Sequence, residues 1–220
     1  LSQPNRIKPS VIYLVKDGET SYNQIMASTR TQDDTSLLAE SLGPLPEPVA
    51  RPALIVLSGL PGTGKSYLSR RLAERMPLLV LESDALRKKL FPSPEYSIEE
   101  SSRLFQTIHL LIKRLLQKGI SIILDATNLS ETYRERLYQI GEEQRAKLVM
   151  VWVKAPESVV YERLGQRAKE QLRSDHSEAD WSTYRKMKPA IEKIRRNYFA
   201  VDTSRDINPV IDKIIRAARK

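Results

Sequence analysis

The sequence predicts an α/β fold, a three-layer sandwich with a five-stranded parallel sheet at its centre and a helical lid. From Ala53 onward, short apolar runs alternate with longer amphipathic stretches, the order expected of strands joined by crossover helices. The runs are near-continuous in Val, Ile and Leu, which suits strands buried on both faces. A glycine-rich stretch, Gly59–Ser66, follows the first run and opens a helical segment.

The predicted strands are Ala53–Ser58, Leu78–Glu82, Ile120–Leu124, Leu148–Val153 and Tyr198–Val201. Tyr67–Arg75 continues the glycine-rich loop as a helix. Ser97-Ile98-Glu99-Glu100 has capping-box spacing, and Leu104, Phe105, Ile108, Leu111, Ile112 and Leu115 then recur at helical intervals until Gly119 stops the helix. Ser130 can cap a helix running through Arg145, Pro156 fits a first helical position, and Asn208-Pro209 can start the last helix. Pro156–Asp180 is the predicted lid.

At 220 residues the chain holds one full α/β core, and a second would be cramped. Residues 51–220 read as that domain and residues 1–50 as an N-terminal arm. Gly43–Pro52 contains four prolines, which remove amide donors and fix φ, so it reads as a stiff linker. Before it, Val11–Val15 is a short β-prone run and Thr20–Glu40 is polar with weak periodicity. The arm is therefore expected to be an appended strand followed by partly ordered chain.

Cysteine is absent, which excludes disulfides and thiolate metal sites. No apolar run approaches the roughly 18 residues that span a bilayer, and no secretory signal opens the chain, so a cytoplasmic location without a membrane partner is expected. The net charge is +9, and residues 1–50 carry four basic against six acidic side chains, so the basic excess belongs to the larger domain. A field of that sign attracts nucleotides, phosphorylated metabolites and nucleic acid. It is equally the surface of a soluble, Arg-rich domain. Aromatic residues make up 6% of the chain, little basis for an extended base-stacking platform.

The spacing G-x-x-x-x-G-K-S in Gly59-Leu60-Pro61-Gly62-Thr63-Gly64-Lys65-Ser66 lies between a strand and a helix, where backbone amides can converge on a triphosphate. In that context Lys65 reaches the β- and γ-phosphates and Ser66 ligates Mg²⁺, so ATP or GTP with Mg²⁺ is the expected cofactor. The motif alone does not separate kinases from nucleotide-dependent switches.

Other residues point to transfer. Asp84 follows the second strand and can accept a proton from an acceptor hydroxyl, while Arg87, one helical turn on, can hold an anionic acceptor. A helix N-cap accounts for the same residues. Asp125 follows the third strand and can bind the water shell of Mg²⁺, with Thr127 and Asn128 as short groups that orient substrate. Arg163 and Arg167 lie four apart on one helical face, where they can close over a triphosphate, or form an ordinary solvated basic helix. His109 and His176 have no metal-ligand partner at useful spacing and read as structural. Trp152 reads as core; Trp181 and Tyr184 either border the site or pack their segment against the sheet.

The set Gly59–Ser66, Ser83-Asp84-x-x-Arg87, Asp125-Ala126-Thr127-Asn128, Arg163-x-x-x-Arg167 and Val201-Asp202-Thr203 resembles the kinase domain of polynucleotide 5′-kinases and related P-loop kinases, among them AAA-family ATP-binding, zeta-toxin-like and small-molecule kinases. The resemblance spans about residues 53–219 and implies the P-loop NTPase kinase-type sandwich. It implies a general base at Asp84, an acceptor contact at Arg87, lid arginines at Arg163 and Arg167, and a nucleotide site formed by Gly59, Pro61, Gly62, Thr63, Gly64, Lys65, Ser66 and Tyr67. Asp202 and Thr203 would lie near the adenine. A 5′-hydroxyl or single-stranded nucleic acid is the first acceptor it suggests, a small metabolite or nucleoside the second, and a switch without acceptor the alternative class. Ser177–Trp181 resembles a stretch in relatives of unassigned substrate. Tyr13–Thr20 resembles the opening strand of histidine phosphatases, with Lys16-Asp17 where that family has Arg-His, and so implies an added strand or a fusion remnant without phosphatase chemistry.

Overall fold

The computed structural model describes residues 30–170 and 180–219. The Val11–Val15 run, the Tyr13–Thr20 segment, His176 and Ser177–Ala179 lie outside the described residues, as does the part of the lid from 171 to 179.

Five strands, β1 (Ala53–Ser58), β2 (Leu79–Glu82), β3 (Ile122–Asp125), β4 (Lys147–Lys154) and β5 (Tyr198–Asp202), form one sheet in the order β2-β3-β1-β4-β5. Every pairing is parallel. Alternate residues of β1 to β4 enter two separate cores, while the edge strand β5 packs only on the second. Leu54, Val56, Leu81 and Leu124 face one layer, and Ile55, Leu57, Ile123 and Val151 face the other. This double burial is why the strands read as unbroken apolar runs.

On the second face lie α2 (Lys65–Ala73) and α8 (Asn208–Arg219). The first face is covered by α3 (Ser83–Leu90), α4 (Ile98–Gln117) and α5 (Glu131–Glu143). Ser97 caps α4 by accepting from the Glu100 amide at 3.1 Å, as its spacing predicts. The Glu100 carboxylate does not complete the box; it accepts instead from the Glu95 amide at 2.7 Å. Helix α6 (Glu157–Glu170) and α7 (Trp181–Met187) border the described lid, and a short 3₁₀ turn, Lys188–Ala190, follows.

Two expectations change. The stretch read as partly ordered arm holds a helix, α1 (residues 30–40), whose Leu38 is fully buried in the core under α4. Asp34 fastens it through a bidentate pair with Arg103, at 2.6 and 2.7 Å. Ser130 does not cap α5. The first amide of α5, from Glu131, donates to the Glu192 carboxylate at 2.6 Å, so the cap comes from 61 residues further along the chain. Trp152 is half-buried and bridges the first core and a smaller cluster of Leu60, Leu129, Val160, Leu164 and Tyr184. Among the described residues no helix is long and apolar enough to cross a membrane.

Candidate active site

Strand β1 is central and wholly buried, so it delivers the chain to the middle of the sheet's C-terminal edge, where open parallel sheets bind ligands. At Gly59 the main chain passes so close to β4 that a Cβ would lie 2.4 Å from the Val153 carbonyl oxygen. Its amide donates to the Thr127 carbonyl at 3.0 Å and ties the loop to the β3–α5 connection. Gly64 enters α2 with φ 88, a left-handed conformation that side chains resist, and a Cβ there would meet Thr203 Oγ1 at 2.9 Å. No side chain caps α2, so its first amides remain for an anionic ligand. Lys65 Nζ and Thr63 Oγ1 both donate to the Leu60 carbonyl, at 3.0 and 2.7 Å.

On one side of the loop stand the ends of β2 and β3. Glu82 and Asp125 are their final residues and lie opposite each other in register. Asp125 is buried at the cleft wall and accepts from Ser69 Oγ at 3.4 Å. Asp84 occupies the first turn of α3 and Arg87 the next turn. The Arg87 guanidinium is buried, paired with Glu100, bonded to Ser101 Oγ at 3.2 Å and covered by the Tyr96 ring at 4.7 Å. Burial pushes the Glu100 carboxyl up, but the Glu95 amide and Arg87 outweigh it and hold the group below its ordinary range.

On the other side stand α6 and the end of β5. Arg163 donates to Thr203 Oγ1 at 2.8 Å and to the Thr203 carbonyl at 2.9 Å. Thr203 in turn donates to the Thr63 carbonyl at 2.7 Å, linking lid and loop. Arg167, one turn further along α6, lines the cleft with it.

These elements enclose a cleft of about 1050 Å³. That is at the upper limit of a pocket for one small ligand, leaving room for an acceptor beside a triphosphate. Of the residues singled out in the sequence, Pro61, Gly62, Gly64, Lys65, Ser66, Tyr67, Asp84, Arg87, Asp125, Thr127, Arg163, Arg167 and Thr203 line it. Gly59 and Thr63 support the loop from behind. Asn128 is not in the cleft: it has a left-handed backbone (φ 43), its Nδ2 donates to the Leu57 carbonyl at 2.7 Å, and it is buried. Asp202 is also turned away, accepting from Ser204 Oγ and the Ser204 amide at 2.7 and 3.0 Å, contacts that hold its carboxyl below the ordinary range. His109 is half-buried on α4 and does not line the cleft; burial, helped by the Arg136 charge, lowers its pKa to about 4.

Sequence reasoning missed Glu82, Arg70, Tyr96, Ser101, Phe105, Thr183 and Met187, all of which line the cleft. Glu82 had a signal, since it ends its strand as Asp125 does. Arg70 also had one, lying on α2 about one turn after Lys65 and Ser66, whereas Tyr96, Ser101, Phe105, Thr183 and Met187 arrive only through the tertiary packing of α4, the connection before it, and α7.

The site fits a Mg²⁺-bound triphosphate. The glycine-lined approach leaves space where Cβ atoms would clash, and Ser66 with Asp125 offers hard oxygen donors of the kind Mg²⁺ takes alongside phosphate oxygens. Among the described residues no group of three His, Asp or Glu side chains forms a closed metal site.

Residues 54–194 match the family model described as AAA domain. An L-seryl-tRNA(Sec) kinase from Methanococcus maripaludis is 33% identical over 115 residues, 50% of this chain and 44% of the relative. The chain thus spans less than half the length of that curated relative. Among solved structures, Kti12 of Chaetomium thermophilum in complex with ADP-AlF3 aligns with a TM-score of 0.57 and 22% identity, over 75% of this chain and 98% of that one. The Mycobacterium tuberculosis APS kinase CysC in complex with AMPPNP and APS aligns with a TM-score of 0.57 and 17% identity, over 79% and 100%.

Proposed function

The chain belongs to the AAA domain family and has a P-loop kinase-type fold, and from that premise we propose that it is an ATP-dependent phosphotransferase acting on an acceptor hydroxyl. The observation that carries the reading is the cleft itself: a glycine-rich phosphate loop opens onto carboxylates at the ends of β2 and β3, with room for two ligands. A switch that only hydrolyses ATP has no use for the second half of that space.

In this reading the loop amides and Lys65 hold the β- and γ-phosphates, with Ser66 and Asp125 as the groups that would hold Mg²⁺. When bound, the metal would neutralise phosphate charge. Asp84 takes the proton of the accepting hydroxyl as its oxygen attacks the γ-phosphorus and the bond to ADP breaks. Arg167 neutralises charge on the transferring group, and Arg163 anchors the lid through Thr203.

The basic excess of the domain and the relative named for a seryl-tRNA both support an acceptor hydroxyl borne on nucleic acid. A small metabolite is the second reading, supported by the metabolite kinase among the structural neighbours. The test is transfer of label from γ-labelled ATP with Mg²⁺ to 5′-hydroxyl RNA and DNA, seryl-tRNA and a panel of hydroxylated metabolites. Label on one acceptor class identifies it, and label released only as free phosphate contradicts the proposal. With the labelled acceptor, Asp84→Asn is expected to slow transfer by about 10²–10⁴-fold and leave ATP affinity unchanged. Undiminished transfer removes Asp84 from that role.

A further inference from the structure

The sheet order places the phosphate loop between side chains of opposite charge. Arg163 and Arg167 stand on the β4–β5 side, and Glu82, Asp84 and Asp125 on the β2–β3 side. Two basic side chains line this side of the cleft, the exposed Arg70 of α2 and the buried Arg87 of α3, and the charge of Arg87 is already cancelled: Arg87 and Glu100 side chains are 7% and 9% exposed and paired with each other. An anion bound at Arg87 would therefore lie next to the buried Glu100 carboxylate, on a wall that also carries Glu82, Asp84 and Asp125, and like charges repel.

Two features of this wall are unfinished. The Nη atoms of Arg87 bond to Glu100 and Ser101, but its Nε is buried and has no hydrogen-bond partner. A buried donor without an acceptor is costly, and at the edge of a binding cleft a ligand can supply what is missing. The Tyr96 ring lies over the Arg87 guanidinium carbon at 4.7 Å, and this aromatic residue has φ 57, in the left-handed region that bulky side chains rarely enter. Tyr96 is 45% exposed, so solvent borders it on the side away from Arg87. Glu100 governs both features, because the carboxylate that neutralises Arg87 also holds the loop next to Tyr96 through the Glu95 amide at 2.7 Å.

We propose that Arg87, Ser101 and Tyr96 form the subsite for the non-reacting part of the acceptor, that Tyr96 is its displaceable cover, and that the group it receives is a neutral oxygen, not a phosphate or carboxylate. The inference rests on the phosphotransfer reading and narrows it. A neutral carbonyl or hydroxyl oxygen completes the Arg87 Nε without adding charge beside Glu100. The accepting hydroxyl, directed at Asp84 one turn away on α3, is then flanked by uncharged groups. A terminal nucleoside whose phosphate falls at this wall is disfavoured. A hydroxyl on a neutral appendage is favoured, whether free or carried at the end of a larger molecule.

The test uses the full chain saturated with AMPPNP and Mg²⁺, titrated with sodium sulfate as the anionic probe in a calorimeter. The unaltered protein is expected to show no sulfate site tighter than about 1 mM and the same isotherm as Arg87→Met. Glu100→Gln, which leaves the guanidinium uncompensated, is expected to bind sulfate at least about tenfold more tightly, and the gain should vanish when Arg87→Met is added. Sulfate binding by the unaltered protein that Arg87→Met abolishes overturns the proposal, as does a folded Glu100→Gln protein with no gain. If Glu100→Gln does not fold, the unaltered and Arg87→Met isotherms decide: a sulfate site tighter than about 1 mM that Arg87→Met abolishes overturns the proposal, and superimposable isotherms support it. Failure of AMPPNP to bind appears at the loading step and counts against the phosphotransfer reading itself.

Discussion

Arg163 and Thr203 are joined by two hydrogen bonds, from Nη1 to the threonine hydroxyl and from Nη2 to its carbonyl, and the same hydroxyl donates to Thr63 in the phosphate loop. One hydroxyl therefore couples the lid helix to the loop that would hold the triphosphate, beside the Gly64 position where a side chain would strike it. Thr203→Val keeps the shape and removes both bonds of the hydroxyl, to Arg163 and to Thr63, while the bond from Arg163 to the residue-203 carbonyl remains. It is expected to weaken ATP binding by about tenfold, the effect of losing roughly one net hydrogen bond, while the fold persists. Unchanged affinity by calorimetry would contradict the coupling.

Arg134 has no exposed surface and makes five hydrogen bonds, to Glu131 Oε2 and to the carbonyls of Asn128, Leu129, Glu192 and Lys193. It pins the connection carrying Thr127 to the segment that follows α7. Arg134→Met should destabilise the protein by about 3–5 kcal/mol, because the Glu131 carboxylate is left buried without its partner. The melting temperature, followed by circular dichroism, should fall by about 6–20 °C. A loss under about 1 kcal/mol would show the network to be dispensable.

His109 supplies a pH-dependent prediction. Its folded pKa is depressed to about 4, chiefly by burial, from an ordinary value of 6.5. The unfolded chain therefore takes up this proton first as pH falls. Stability attributable to the neutral imidazole is complete above pH 6.5 and is lost between 6.5 and 4, by up to about 3 kcal/mol. Denaturant unfolding at pH 7 and pH 4.5 should show a smaller acid loss in His109→Gln than in the unaltered protein. Equal losses would contradict the assignment.

What was legible in the sequence follows from how local its cause is. The glycine-rich loop, the β strands and the Ser97 cap were readable because a few adjacent residues determine them. Helix α1 was not, since its hold on the domain comes from Leu38 packing under α4 and from Asp34 reaching Arg103, 69 positions away. The α5 cap is hidden for the same reason, Glu192 being remote in sequence. Asn128 misled because a short polar residue after a strand suits a substrate contact and an internal turn equally, and burial at the Leu57 carbonyl chose the turn. The pairing of Arg87 with Glu100 could not be read from spacing, though it determines the charge that the acceptor half of the cleft presents.

The central claim is that the loop from Gly59 to Ser66 binds a Mg²⁺-bound nucleoside triphosphate, and titration calorimetry with ATP and Mg²⁺ tests it most directly. The unaltered protein should bind with a Kd below about 1 mM, and Lys65→Ala, which removes the ammonium now lying over the Leu60 carbonyl, should bind at least about tenfold more weakly. No measurable heat with ATP or GTP, or equal affinity in the two proteins, would contradict the account.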